Sequence, residues 1–182
     1  AAGQGKRMGS DLPKVLHHLS GKPLVRWVID SAKTVNPEKI VVVVGHGAEK
    51  VRDELKDEGN ISFALQEQQL GTAHAVKQAK PELENFHGSI IVLSGDVPLT
   101  KQETLDKMLK IHLAGAASIT LLSVDMENPS GYGRIIRDSS GNVIKNVEDK
   151  DASEEQKKIK EINGGIYVFD SEFLFGSLGT VS

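Results

Sequence analysis

Ile40-Val41-Val42-Val43-Val44-Gly45-His46-Gly47-Ala48 decides the fold class. Five consecutive β-branched residues read as a strand buried on both faces, which is the texture of parallel sheets covered by helices. Gly45 and Gly47 then turn the chain, and Ala48 to Lys56 continues as a short charged helix. Upstream, Lys22-Pro23 opens a helical stretch with Leu24, Val28 and Ala32 at helical spacing, and Asn36-Pro37 ends it. Downstream, Ile61 to Leu65 is a second strand, Thr72 is placed to cap a helix through Lys80, and Pro81 stops it. Ile90 to Leu93 is a third apolar strand, Gln102 to Leu113 a helix, and Ala117 to Val124 a fourth strand. Strands alternating with helices predict an α/β fold with a doubly wound, mainly parallel, Rossmann-like sheet.

After residue 128 the texture changes. Gly131 to Arg134, Ile135-Ile136, Gly141-Asn142 and Val143 to Val147 read as a hairpin-rich insertion. A charged stretch from Asp149 to Lys160 leads to a last strand at Ile166 to Phe169. No repeat or linker divides the 182 residues, so one domain is expected, in two parts at 1–127 and 128–182.

Composition narrows the classes of function. The 22 basic and 25 acidic residues give a net charge of -3, which offers no global footprint for nucleic acid. With no cysteine, disulfides, zinc–thiolate sites and cysteine nucleophiles are excluded. Apolar runs are too short to span a bilayer, so no membrane partner is expected and a cytoplasmic protein is the default.

Three segments are candidates for chemistry. Gly3-Gln4-Gly5-Lys6-Arg7-Met8, with Lys14 nearby, offers small residues for close approach to phosphate and cations to neutralise it. Met8 breaks the dinucleotide fingerprint, and Lys6-Arg7 breaks the Walker pattern, so a solvated turn stays an equal alternative. Ser94-Gly95-Asp96 leaves the carboxyl end of a buried strand, the edge at which open α/β sheets bind ligands. Asp96 either caps the next helix or holds a cation such as Mg2+. Pro98 and Leu99 stand between it and that helix, which favours the cation. Gln66 to Thr72 leaves another strand end, and the Gln66 amide can meet both a donor and an acceptor on a base edge. A polar loop with a helix cap is the plainer reading of that segment. The six histidines show no metal-ligand spacing and read as surface or packing residues.

In combination and in this order, Ala1-Ala2-Gly3-x-Gly5-x-Arg7-Met8, Leu12-Pro13-Lys14, Gln69-Leu70-Gly71-Thr72-x-His74-Ala75, Gly95-Asp96-x-Pro98-Leu99 and Gly131-Tyr132-Gly133-Arg134-Ile135 resemble the bacterial N-acetylglucosamine-1-phosphate uridyltransferases. Glu148 to Asp151 and Glu161 to Asn163 extend the likeness over nearly the whole chain. The resemblance implies transfer of a uridylyl group from UTP to N-acetylglucosamine 1-phosphate with Mg2+, in cell-envelope precursor synthesis. It implies that Arg7 and Lys14 bind phosphates as the catalytic cations, and that Ala1, Ala2, Gly3, Gln66, Gly71 and Thr72 hold the nucleotide. Gly133, Glu148 and Asn163 would hold the sugar phosphate, and Asp96 would ligate the metal.

Two positions depart from the pattern: Gly164, where a threonine or serine is usual, and Asp149, where histidine is common. The resemblance implies a second metal ligand and a β-helix acetyltransferase domain that makes full-length relatives homotrimeric; neither is found in residues 1–182, so a fragment is expected. A relative acting on another sugar 1-phosphate or on molybdopterin, and an inactive chain that binds UDP-sugar, are the alternative expectations.

Overall fold

The computed structural model describes residues 1–2, 9–115 and 117–178. Its strands are β1 (His18–Leu19), β2 (Lys22–Pro23), β3 (Ile40–Val44), β4 (Ile61–Leu65), β5 (Ser89–Val92), β6 (Ile119–Asp125), β7 (Arg134–Arg137), β8 (Val143–Val147) and β9 (Glu161–Asp170). Its α-helices are α1 (Leu24–Lys33), α2 (Ala48–Glu54), α3 (Thr72–Gln78), α4 (Gln102–Ala114), α5 (Glu154–Lys157) and α6 (Ser171–Ser177). The α/β architecture expected from the alternating texture is present, with β3 and β4 paired in parallel over their full length. Among the described residues, no helix is long and apolar enough to cross a membrane.

The hub of the larger sheet is β9. It runs antiparallel to β5 on one side and to β6 on the other, so β5 and β6 share one direction. The sequence shows only the last part of this strand as an apolar run. Its first part, Glu161-Ile162-Asn163-Gly164-Gly165, lacks such a run and is held in the sheet by pairing with β6 and β7. Opposite Leu122 the β6–β9 register shifts, and Gly165 takes a positive φ of 73° there. A Cβ at Gly164 would stand 2.9 Å from the Leu122 carbonyl oxygen, so this backbone leaves no room for the threonine or serine usual at that position. The expected hairpin is present as β7–β8. Its tip is tied by the Asp138 carboxylate, which accepts from the amides of Ser140 and Asn142 at 2.9 Å each.

Two cores flank an opening. One packs Val25 and Ile29 of α1, Val42 and Val44 of β3, and Val51 and Leu55 around α2. The other packs Leu105 and Met108 of α4 on Ile166 and Val168 of β9. Each such buried aliphatic side chain stabilises the fold by roughly 1.5–3 kcal/mol relative to exposure. Between the cores, β3 and β5 line a cavity of about 730 Å3, which α1 and α3 also line with apolar side chains. Among the described residues β3 pairs only with β4, and β5 only with β9.

Candidate active site

The segments singled out in the sequence converge on that cavity. Ala1, Ala2, Lys14, Gln66, Gly71, Thr72 and Asp96 all line it. The turn after β3 makes the convergence possible. A Cβ at Gly45 would lie 2.8 Å from the Ala2 carbonyl oxygen. Gly47, at a φ of 68°, lets Pro13 approach to where a Cβ would meet its ring at 2.5 Å. Pro13 is buried and precedes Lys14, so this close approach sets where the lysine leaves the backbone. Gly3 and Arg7 lie outside the described residues.

Lys14 donates from Nζ to the Asp96 carboxylate at 2.6 Å. The cation and the anion expected to meet phosphate and metal are therefore paired with each other across 82 residues of sequence. Both side chains keep solvent access, at 44% and 33%, so the pair contributes little to stability and either partner can exchange it for a ligand. Among the described residues no group of three His, Cys, Asp or Glu side chains converges as a metal cage. A single reachable carboxylate beside a lysine still fits Mg2+, which is commonly held by one or two carboxylates plus substrate phosphates and water.

Gln66, one residue past β4, is 3% exposed. Its backbone N–H donates to the Val44 carbonyl at 2.7 Å, which continues the β3–β4 ladder by one bond. Its side-chain nitrogen donates to the Gly71 carbonyl at 3.2 Å and lies 2.9 Å from Nδ1 of His74. The sequence reading missed His74, because a lone histidine eight residues from a glutamine carries no spacing signal. A helix starting at Thr72 does bring its first turn back over the strand end. That start corrects one expectation. Thr72 is the first helical residue, Gly71 is the N-cap, and no side chain caps α3.

The second cluster lies on the hairpin side. Arg134 pairs with Val147 of β8 and with Ile162 of β9. Both pairings are antiparallel, so one step outward along the strands brings Gly133, Glu148 and Asn163 to a common rung. The Asn163 N–H donates to the Gly133 carbonyl at 2.8 Å. The Asn163 side chain is fixed in turn: its nitrogen donates to the Tyr167 hydroxyl, and its oxygen accepts from the Gly165 N–H at 2.9 Å. Glu148 is exposed and Gly133 is buried.

Arg134 anchors the rung, a role that its place in the Gly131 to Ile135 motif does not reveal. Its side chain is 2% exposed, donates to the Tyr132 carbonyl, and pairs with Asp149 at 2.9 Å. Asp149, a departure from the family pattern, thus supplies the anion that a buried guanidinium needs.

The family described as Nucleotidyl transferase matches residues 1–180. The chain is 52% identical over all 182 residues to the Bifunctional protein GlmU of Bacillus licheniformis, covering 40% of that protein. It is 48% identical over 182 residues to the Bifunctional protein GlmU of Caldanaerobacter subterraneus, covering 39%. The chain thus spans about two fifths of the length of these curated relatives. In fold it is similar to a putative glucose-1-phosphate thymidylyltransferase from Bacillus anthracis, crystallised with a sucrose, at a TM-score of 0.82. That likeness has 17% identity and covers all of this chain and 73% of the other. With a family match over almost every residue and half-identical relatives along its full length, the chain belongs to the nucleotidyl transferase family.

Proposed function

We propose that this chain transfers a uridylyl group from UTP to N-acetylglucosamine 1-phosphate, releasing pyrophosphate. The observation that carries this reading is the meeting of Lys14, Asp96 and the buried amide of Gln66 at one cavity, in a chain about half identical to GlmU proteins. A sugar-phosphate oxygen attacks the α-phosphorus of UTP in line. One P–O bond forms, and the bond to the pyrophosphate oxygen breaks. The attacking oxygen is already anionic near neutral pH, so alignment and charge neutralisation carry the catalysis rather than a general base. Lys14 leaves Asp96 to meet the triphosphate, and the released carboxylate becomes available to a cation. When bound, Mg2+ would supply further charge neutralisation at the phosphates, with Asp96 as its protein ligand.

Gln66, with Gly71 and Thr72 beside it, holds the base, and Ala1 and Ala2 close the same wall. Gly133, Glu148 and Asn163 take the sugar phosphate, with Glu148 accepting from sugar hydroxyls. Arg7 acts with Lys14 on the phosphates, and Gly3 belongs to the nucleotide loop. The product feeds cell-envelope precursor synthesis in the cytoplasm, and residues 1–127 and 128–182 divide the nucleotide and sugar roles.

Pyrophosphate release from UTP, N-acetylglucosamine 1-phosphate and Mg2+ is the test. Release that needs all three supports the reading. Release with dTTP, CTP or GTP in preference to UTP, or with another sugar 1-phosphate, overturns it. In an active chain, Lys14→Ala lowers kcat/KM by about 3 kcal/mol of transition-state stabilisation, the size of one electrostatic group at a developing charge.

A further inference from the structure

The hydrogen-bond chemistry around Gln66 is more constrained than a base-contacting amide requires. A main-chain carbonyl only accepts, so the atom Gln66 turns toward the Gly71 carbonyl, 3.2 Å away, must be its NH2 group. That same nitrogen lies 2.9 Å from Nδ1 of His74. Nδ1 must therefore be the unprotonated nitrogen of a neutral imidazole, with the ring hydrogen on Nε2. The Gln78 side-chain amide lies 3.1 Å from Nε2 and 3.5 Å from the His74 main-chain carbonyl; exchanging its oxygen and nitrogen gives the Nε2 hydrogen an acceptor at the expense of that longer contact. Both hydrogens of the Gln66 amide are then committed, one to Gly71 and one to His74. What remains is the carbonyl oxygen Oε1, which no donor reaches among the described residues. Gln66 lines the cavity and is itself 3% exposed, so its amide is held in place by its neighbours rather than by water.

We propose that His74 is the positioning residue that makes base recognition selective, by locking the Gln66 amide so that it offers only an acceptor to the bound nucleobase. This rests on the reading of Gln66 as the base-contacting residue. A free glutamine amide rotates and satisfies a donor or an acceptor equally well, and so does not discriminate. A locked carbonyl requires an N–H on the base. Uracil has one donor on its pairing edge, at N3, and cytosine places a lone pair at the same atom. A cytosine held in the same register faces that oxygen with its N3 lone pair and loses the bond, and recovers one only by shifting until its N4 amino group points at Gln66. Buried mismatches of this kind discriminate far better than a difference in size. His74 does this without touching the nucleotide. Its place in the first turn of α3, which follows Gly71, ties the Gly71 carbonyl and the imidazole to one short element.

The test is the ratio of UTP to CTP dissociation constants, measured by calorimetry with Mg2+ on the wild-type chain and two variants. His74→Leu removes the acceptor at a half-buried position, and His74→Asn keeps one, because the asparagine oxygen stands close to where Nδ1 stands. The expected result is a preference for UTP that falls about tenfold in His74→Leu, the worth of one lost hydrogen bond. In His74→Asn it is retained. A His74→Leu chain that keeps the wild-type ratio overturns the role of His74 and leaves the uridine site standing. A wild-type chain that binds neither nucleotide, or prefers CTP, overturns both. A measurement independent of any variant is the nitrogen NMR spectrum of His74, where the Nε2–H tautomer is expected and the Nδ1–H tautomer would sink the proposal.

Discussion

Lys14, Gln66 and Asp96 stand on three separate connections, after Pro13, β4 and β5, and converge because three elements end at one cavity. Gly133, Glu148 and Asn163 stand on one rung of one sheet, fixed by the same register. The first group is joined by a solvent-accessible ion pair and by an amide held by its neighbours. The second is bound by main-chain pairing and backed by a buried arginine. Under the proposed function, Lys14 and Asp96 are the pair that must release each other when a polyphosphate arrives, while the Gln66 amide keeps its partners. The rigid group has only to present a surface. The contrast shows how a single chain distributes order: side chains joined only to one another sit at loop ends, and residues joined by main-chain pairing are part of a ladder.

Stability measurements are the sharpest way to break this contrast. Arg134→Met is expected to cost the largest amount, about 2–4 kcal/mol, because it removes the guanidinium from its Tyr132 and Asp149 partners inside the sheet. The upper end is avoided because Asp149 retains solvent access. Lys14→Met, at the other group's ion pair, is expected to change stability by less than about 1 kcal/mol. Urea denaturation of both variants decides the matter, and equal losses would show that the two groups are held alike.

Next in size is Gly133→Ala. The new Cβ would stand 2.5 Å from the side-chain oxygen of Asn146, which is exposed and can move aside, so the cost is expected at the low end of overpacking, about 1 kcal/mol. Removing the obstacle in the double variant Gly133→Ala/Asn146→Gly should restore part of the loss. Additive losses instead would show that the rung is not limited by that contact.

The smallest effect is a dependence on pH at the outer end of the rung. A hydrogen bond from Arg137 holds the Glu161 carboxyl below its usual range, against the opposing effect of burial and with help from Ser123. A depressed carboxylate contributes stability that is present above its unfolded pKa, near pH 4, and is lost as pH falls through the lower folded value. Arg137→Ala should therefore destabilise the chain slightly at pH 7, with the difference shrinking in acid. Paired denaturation curves at neutral and acidic pH would detect it, and a difference that grows in acid would reverse the sign of the argument.

Much of the fold could be read from local pattern. Apolar runs at Ile40 to Val44 and Ile61 to Leu65 became β3 and β4, and the run from Ile90 to Leu93 became β5 apart from Leu93, because strands of such composition need burial on both faces. The Gly141-Asn142 turn marked the β7–β8 hairpin for a similar local reason. The first half of β9 was hidden, since Asn163, Gly164 and Gly165 have no strand preference and are recruited by neighbours remote in sequence. At the site, Lys14, Gln66 and Asp96 were legible as residue types at strand and loop ends. Their internal pairing was not, because the Lys14–Asp96 contact depends on the approach of Pro13 to Gly47, a purely tertiary fact. His74 and Arg134 stood within quoted motifs, but their contacts were hidden for the same reason: each acts on a neighbouring side chain or main chain, and nothing in their spacing reports that.

The shared rung also has an evolutionary meaning. A β-strand reverses the facing of every side chain when its register moves by one residue. Because Gly133, Glu148 and Asn163 share a rung, a single inserted residue in β9 before Asn163 would displace Asn163 from both of the others in one event. The tip from Asp138 to Asn142, by contrast, is an exposed turn closed on itself, where lengthening or shortening leaves the rung untouched. Length variation among descendants of this chain should therefore collect at the hairpin tip and be purged from the strands beside the rung, even where individual residues there remain free to change.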